Sequence, residues 1–175
     1  ARVFGAMEPG QLVCAGMADA ETQALAEEAG VCLRDYYRRE ELAVMNAVAT
    51  AEGALAIMIR DTAITLWEAR VLVLGFGRIG KLMAHRLRGM GAQVSVSSRN
   101  CGDMAWCRAM GYEALDTRNL EGRLADFDVV VNTIPAPVLT EARLRELKTD
   151  ALVLDLASAA LSAGASVPGV LTALG

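Results

Sequence analysis

Val71-Leu72-Val73-Leu74-Gly75-Phe76-Gly77-Arg78-Ile79-Gly80-Lys81 decides how the rest of this sequence is read. Four apolar residues run into glycines at positions 75, 77 and 80, and a helical segment from Lys81 to Gly89 follows. Taken alone, glycines at this spacing say little; between a strand and a helix they acquire a mechanism. Gly75 permits a tight turn, Gly77 lets a pyrophosphate approach the backbone, and Gly80 lets the helix lie close to the strand. Free N–H groups at the helix start then hold the phosphates. The candidate phosphate-binding set is Gly75, Phe76, Gly77, Arg78, Ile79 and Gly80.

Outward from this motif the text alternates strand and helix. Val94 to Ser97 reads as a second strand, Met104 to Met110 as a helix closed by Gly111, and Tyr112 to Leu115 as a weaker third strand. Asp128 to Asn132 and Ala151 to Asp155 are two further apolar runs, separated by a helix from Thr140 to Leu147. Short, continuously apolar strands between helices are buried on both faces, which predicts an α/β fold with a doubly wound, mostly parallel sheet over residues 70–158.

The preceding third reads differently. A helix from Ala18 to Glu28 ends at Gly30, Val31 to Leu33 suggests a short buried strand, and Arg34 to Glu41 is a charged connector. These residues, 1–40, are expected to form part of a smaller N-terminal α/β domain. A long, largely buried helix over Glu41 to Arg60 would bridge the two within residues 41–69, with Leu42, Met45, Ala49, Leu55, Ile57, Met58 and Ile59 as its apolar positions. Gly53 inside it weakens the helix by about 1 kcal/mol. Residues 159–175 are a tail, and Leu156 to Gly175, uncharged but broken by serines, Pro168 and glycines, reads as loop plus a short helix rather than a membrane span.

Composition narrows the chemistry. The chain has 175 residues, a formal charge of -4 and a mean hydropathy of +0.32 that 31 alanines and 16 glycines raise. A net-acidic chain without a basic cluster is a poor candidate for nucleic-acid binding. The single histidine, His85, rules out a His-based zinc cluster and leaves no ring to spare for a Ser-His-Asp relay, so no metal is expected. Cys14, Cys32, Cys101 and Cys107 lack metal-site spacing and are read as reduced thiols of a cytoplasmic protein. Met83, Met90, Met104 and Met110 are read as core filler.

In open α/β sheets, ligands bind beyond the carboxyl ends of the strands. The second strand of the motif domain ends in Ser97-Ser98-Arg99-Asn100, where NAD sites place a carboxylate on the ribose 2′-hydroxyl. Arg99 can instead pair with a 2′-phosphate while Ser97 or Ser98 donates hydrogen bonds, which favours NADP over NAD as the cofactor. The next strand ends offer Thr133, Ile134 and Pro135, a stiff loop suited to the nicotinamide, and Leu156, Ala157 and Ser158.

The stretch Asn46-Ala47-Val48-Ala49-Thr50-Ala51-Glu52-Gly53-Ala54, the glycine motif, Asn132-Thr133-Ile134-Pro135 and Leu154-Asp155-Leu156-Ala157-Ser158 together resemble the A-subunit family of dipicolinate synthase, from about Val3 to Ser158. The resemblance implies an NADP-dependent oxidoreductase component that oxidises a dihydropyridine dicarboxylate, derived from 4-hydroxy-tetrahydrodipicolinate, to dipicolinate. It also implies, for a partner, a flavoprotein-like B subunit, the mother cell of a spore former as location, and room for a homodimer. On that reading Thr50 and Glu52 lie near the nicotinamide, with Glu52 as proton acceptor, and Arg34, Arg38, Arg39 and Arg60 are candidates for a clamp on the substrate carboxylates. Two alternatives remain: another NADP-dependent dehydrogenase, similar to shikimate dehydrogenase or glutamyl-tRNA reductase, and a module that senses nucleotides without chemistry.

Overall fold

The computed structural model describes residues 3–157 and 170–172. The chain divides into two compact units, Ala1–Asn46 and Ala47–Gly175. In the second unit the anticipated strands form β3 (Arg70–Leu74), β4 (Gln93–Ser98), β5 (Glu113–Asp116), β6 (Val129–Asn132) and β7 (Leu152–Asp155). A sixth, β8 (Val170–Thr172), pairs parallel with β7 where the sequence suggested loop and helix; positions 158–169 and 173–175 lie outside the described residues.

Every pairing is parallel, and the order is β5-β4-β3-β6-β7-β8. The strand order reverses between β3 and β6, so the crevice between their carboxyl ends is the place for a ligand. Val71 to Leu74 and Val129 to Val131 are buried completely, as strands covered on both faces must be.

Among the described residues, three helices belong to the sheet's connections: α3 (Arg78–Gly89), α4 (Cys101–Ala109) and the single-turn α5 (Glu141–Leu144), which Thr140 caps. On one face of the sheet Val71, Val73, Val129, Val131 and Leu154 pack with Met83, Ala84 and Leu87 of α3 and Cys107 of α4. On the other, Leu72, Leu74, Val130 and Val153 pack with Leu120, Leu124, Phe127 and Leu144. Of the four methionines assigned to the core, only Met83 is buried fully; Met90 and Met110 are exposed and Met104 is half-buried.

The long helix, α2 (Glu40–Asp61), buries Ala47, Ala51, Ala54 and Met58, spaced four, three and four apart along one face. Ala51, Ala54 and Met58 join the valine cluster of the sheet. The expectation of a largely buried helix is thus corrected: three alanines and Met58 form the buried face, Leu55 and Ile57 flank it half-buried, and Val44, Met45 and Ile59 are exposed. By length and composition alone α2 could cross a membrane, yet its alanine face belongs to the core of the second unit.

The first unit holds β1 (Leu12–Ala15), α1 (Ala20–Glu28) and β2 (Cys32–Asp35), with the two strands parallel. β1 went unread in the sequence. β2 is not the buried strand expected, for its residues alternate between exposed and half-buried. The charged connector is built instead around Asp35, whose carboxylate accepts from the backbone N–H of Met17, Ala18 and Tyr37 and so fixes the chain at both strand ends.

Candidate functional site: the crevice at the glycine turn

The turn after β3 gives each glycine its reason. Gly75 has φ +99°, and a Cβ there would lie 2.6 Å from Thr133 Oγ1. A Cβ on Gly80 would lie 2.2 Å from the Gly75 carbonyl oxygen, a backbone atom that cannot swing aside. A Cβ on Gly77 would meet nothing within 4 Å. That open space lies at the N-cap of α3, which has no side-chain cap and no acid in its first turn. The helix therefore presents uncapped N–H groups and the positive end of its dipole to a cradle that an anion can enter. This is the fit a dinucleotide pyrophosphate requires.

Around the cradle runs a cleft of about 360 Å³ lined by Gly75, Phe76, Gly77, Ser98, Arg99, Asn100, Asp103, Thr133, Ile134 and Pro135. The fold thus assembles nine of the expected residues from three strand ends. Thr133 Oγ1 donates to the Leu74 carbonyl at 2.8 Å, and Gly75 N donates to the Ser97 carbonyl at 2.9 Å, so the strand ends hold one another. Lys81 Nζ sits 5.3 Å from the centre of the Phe76 ring, a cation over the loop's aromatic residue.

Two buried side chains shape the far wall. Asn132 Nδ2 donates to Asp155 Oδ1 at 3.0 Å, while Asn132 Oδ1 accepts from Ile134 N and Asp155 Oδ1 from Ala157 N. Both are almost fully buried at the ends of the adjacent strands β6 and β7. Sequence reading quoted both in the family resemblance but gave them no role, although a polar residue closing an apolar strand at a carboxyl edge is a signal that could have been read.

Over residues 45–168 the sequence matches the family described as D-isomer specific 2-hydroxyacid dehydrogenase, NAD binding domain. The chain belongs to that family. The resemblance read from the sequence is also borne out: the chain is 31% identical over 147 residues to the dipicolinate synthase A subunit of Bacillus subtilis, covering 84% of this chain and 50% of that protein. The structure of the dipicolinate synthase A subunit from Bacillus halodurans matches at 33% identity with a TM-score of 0.77, over 84% of this chain and 51% of the other. A transhydrogenase from Sinorhizobium meliloti shares the fold, with a TM-score of 0.72 at 19% identity over 98% of this chain and 62% of that one. The chain spans about half the length of the dipicolinate synthase relatives it matches.

As a 2-hydroxyacid dehydrogenase-type domain, the second unit has a doubly wound sheet and a pyridine-nucleotide crevice. Several residue roles need revision. Neither serine of β4 can donate into the cleft. Ser97 is fully buried, its Oγ accepting from Thr117 Oγ1 at 3.0 Å. Ser98 Oγ gives its proton to Asp103 Oδ2 at 3.0 Å, because a carboxylate can only accept, and it accepts from Asn100 N. Asn100 caps α4 through its side-chain oxygen. Arg99 is exposed and makes no hydrogen bond or ion pair among the described residues. Leu156 is buried in the core, which leaves it only backbone groups to offer; Ala157 is half-buried, and Ser158 lies outside the described residues.

Glu52 does not turn toward the crevice. Its carboxylate, two-thirds exposed, receives Arg86 Nη2 at 3.2 Å, and Arg86 belongs to the last turn of α3, the end opposite the glycine loop. The same guanidinium donates to the Val48 carbonyl at 3.4 Å. Glu52 thus ties α2 to α3. Thr50 is half-buried on α2, and a Cβ on Gly53 meets nothing within 4 Å. Arg60 is held by its neighbour Asp61 at 2.6 and 2.7 Å. In the first unit, Arg34, Arg38 and Arg39 line a cleft of about 510 Å³, with Arg38 3.6 Å from Asp35 and Arg39 paired with Glu41.

Proposed function

We propose that this chain carries the dinucleotide-binding part of an oxidoreductase of the dipicolinate synthase kind, using NADP to oxidise a dihydropyridine dicarboxylate to dipicolinate beside a B subunit. The observation that carries this reading is the open cradle at Gly77, facing the uncapped start of α3, with Arg99, which has no ion pair among the described residues, in the same cleft. A bound nicotinamide would supply the hydride acceptor. The chain's own residues bind and orient: the first N–H groups of α3 hold the pyrophosphate, and Arg99 meets the 2′-phosphate. The loop Thr133-Ile134-Pro135, stiffened by proline and anchored through Asn132, sets the plane of the ring.

Arg34, Arg38 and Arg39 in the first unit's cleft are the cations that suit the two substrate carboxylates. Arg60 does not line that cleft and is left out of the clamp. Aromatisation provides the driving force, so orientation is the larger part of the protein's task.

A second reading, a nucleotide-sensing module, draws support from Asp103, a carboxylate that the fold delivers to the β4 end. Titrating the chain with NADPH and NADH, then following dipicolinate absorbance with substrate and a B subunit present, separates the two. Tighter NADPH binding with dipicolinate formed is the expected result. Tight NADH binding without turnover would establish the sensor instead.

A further inference from the structure

The β4 end carries two opposed charges. Among the described residues lining the crevice, Arg99 is the one cation and Asp103 the one carboxylate. The sequence places Asp103 four residues beyond Arg99, just ahead of the helix read from Met104, and so hides it from the strand end. The structure brings it back: Asn100 caps α4 by accepting from Gly102 N at 2.7 Å and Asp103 N at 3.4 Å, which starts the helix at once. The first turn then folds the Asp103 carboxylate over the end of β4, onto Ser98 Oγ. One carboxylate oxygen is engaged there, and Oδ1 has no hydrogen-bond partner among the described residues.

We propose that Asp103 is the residue that sets the choice between NADH and NADPH, acting against Arg99. Resting on the reading of this crevice as a dinucleotide site, the inference concerns the adenosine ribose. A free carboxylate oxygen accepts a hydrogen bond from a 2′-hydroxyl and repels a 2′-phosphate; a guanidinium does the reverse. With both in one cleft, the preference is a balance of two terms, each adjustable on its own. Ser98 holds Asp103 in place and has no proton left for the phosphate.

The test is a set of binding titrations of NADPH and NADH against the chain and its Asp103→Asn and Arg99→Ala variants, at one fixed ionic strength. Asp103→Asn keeps an acceptor for Ser98 and removes the charge. It is expected to raise the ratio of NADPH to NADH affinity by about tenfold or more, the size of one charge interaction a few ångströms away at a protein surface. Arg99→Ala is expected to lower that ratio by weakening NADPH alone. A purely structural role for Asp103 would weaken both nucleotides equally, and an unchanged ratio in Asp103→Asn overturns the inference while leaving the crevice a dinucleotide site. Failure of the unmodified chain to bind either nucleotide would instead overturn the proposed function itself.

Discussion

Gly77 and Gly80 stand three residues apart in one turn, and the same added methyl group should have opposite consequences at the two. At Gly80 the new Cβ would fall 2.2 Å from the Gly75 carbonyl oxygen and 2.9 Å from its carbon. Both are backbone atoms of a residue held at φ +99°, so relief requires α3 to move off β3. Overpacking of that kind costs about 1–3 kcal/mol. For a domain of this size it lowers Tm by roughly 2–4 °C per kcal/mol, hence by about 2–12 °C. At Gly77 the backbone, φ -79° and ψ -162°, suits any residue, and the Cβ meets nothing within 4 Å. Gly77→Ala should therefore fold as the parent does, with Tm unchanged or slightly higher because the unfolded chain has less freedom. Its penalty appears only with ligand, since the methyl group occupies the space through which a pyrophosphate reaches the α3 amides. A loss of at least tenfold in dinucleotide affinity, about 1.4 kcal/mol, is expected. Thermal melting by circular dichroism and calorimetric titration with NADPH, run on both variants, give the two readouts. The reasoning is refuted if Gly77→Ala binds like the parent, or if it loses as much Tm as Gly80→Ala.

Three further outcomes follow from particular contacts. Glu52→Gln should leave dinucleotide affinity unchanged in titration and lower stability by about 0–1 kcal/mol in chemical denaturation, as befits an exposed ion pair with Arg86; a loss of turnover at every pH would restore Glu52 as the proton acceptor. Burial alone would raise the Asp128 pKa, but the Lys148 ammonium at 2.5 Å and the Arg70 N–H at 2.8 Å outweigh it and hold the carboxyl below its usual range. Its contribution is thus present above the unfolded-state value of about 3.9 and lost as pH falls through the lower folded value, so Asp128→Asn should be destabilising at neutral pH and much less so near pH 3 by denaturant midpoint. Burial pushes the Cys107 thiol up to about 11, whereas Cys14, Cys32 and Cys101 are exposed, so three thiols should react with a disulfide reagent in the native protein and the fourth only on unfolding.

The sheet was legible because its strands are unbroken apolar runs. Val71 to Leu74 and Val129 to Val131 leave no polar residue for a solvent face, and only a doubly covered parallel sheet accommodates that. The glycine turn was legible for the same reason, as each glycine answers a local steric demand. What escaped depends on longer-range placement. β1 is four half-exposed residues whose partner lies 20 positions on, and no periodicity marks it. The buried face of α2 was read only in part: Met58 was named, but Ala47, Ala51 and Ala54 were passed over because bulk was taken as the guide to burial, while close helix–sheet packing selects alanine. At the site, Arg99 was named from the sequence and lines the crevice, but Asp103 was not named, because its approach to Ser98 depends on how tightly Asn100 starts α4. The serines were misread because a hydroxyl's availability depends on its burial, as at Ser97, and on what already receives its proton, as at Ser98.

The hydrogen bond between Asn132 and Asp155 ties the residues just beyond β6, Thr133 and Ile134, to those just beyond β7, Leu156 and Ala157. Leu156 N also bonds to the Asn132 carbonyl at 2.8 Å, so each loop is clamped to the neighbouring strand by main chain and side chain together. Changes on one side should then be felt on the other. Substitutions at Thr133 or Ile134 would combine non-additively with substitutions at Ala157, whereas either should be independent of changes around Asn100. Evolution working on such a wall must alter both loops in step, while the opposite rim of the crevice, built on the first turn of α4, is free to vary by itself.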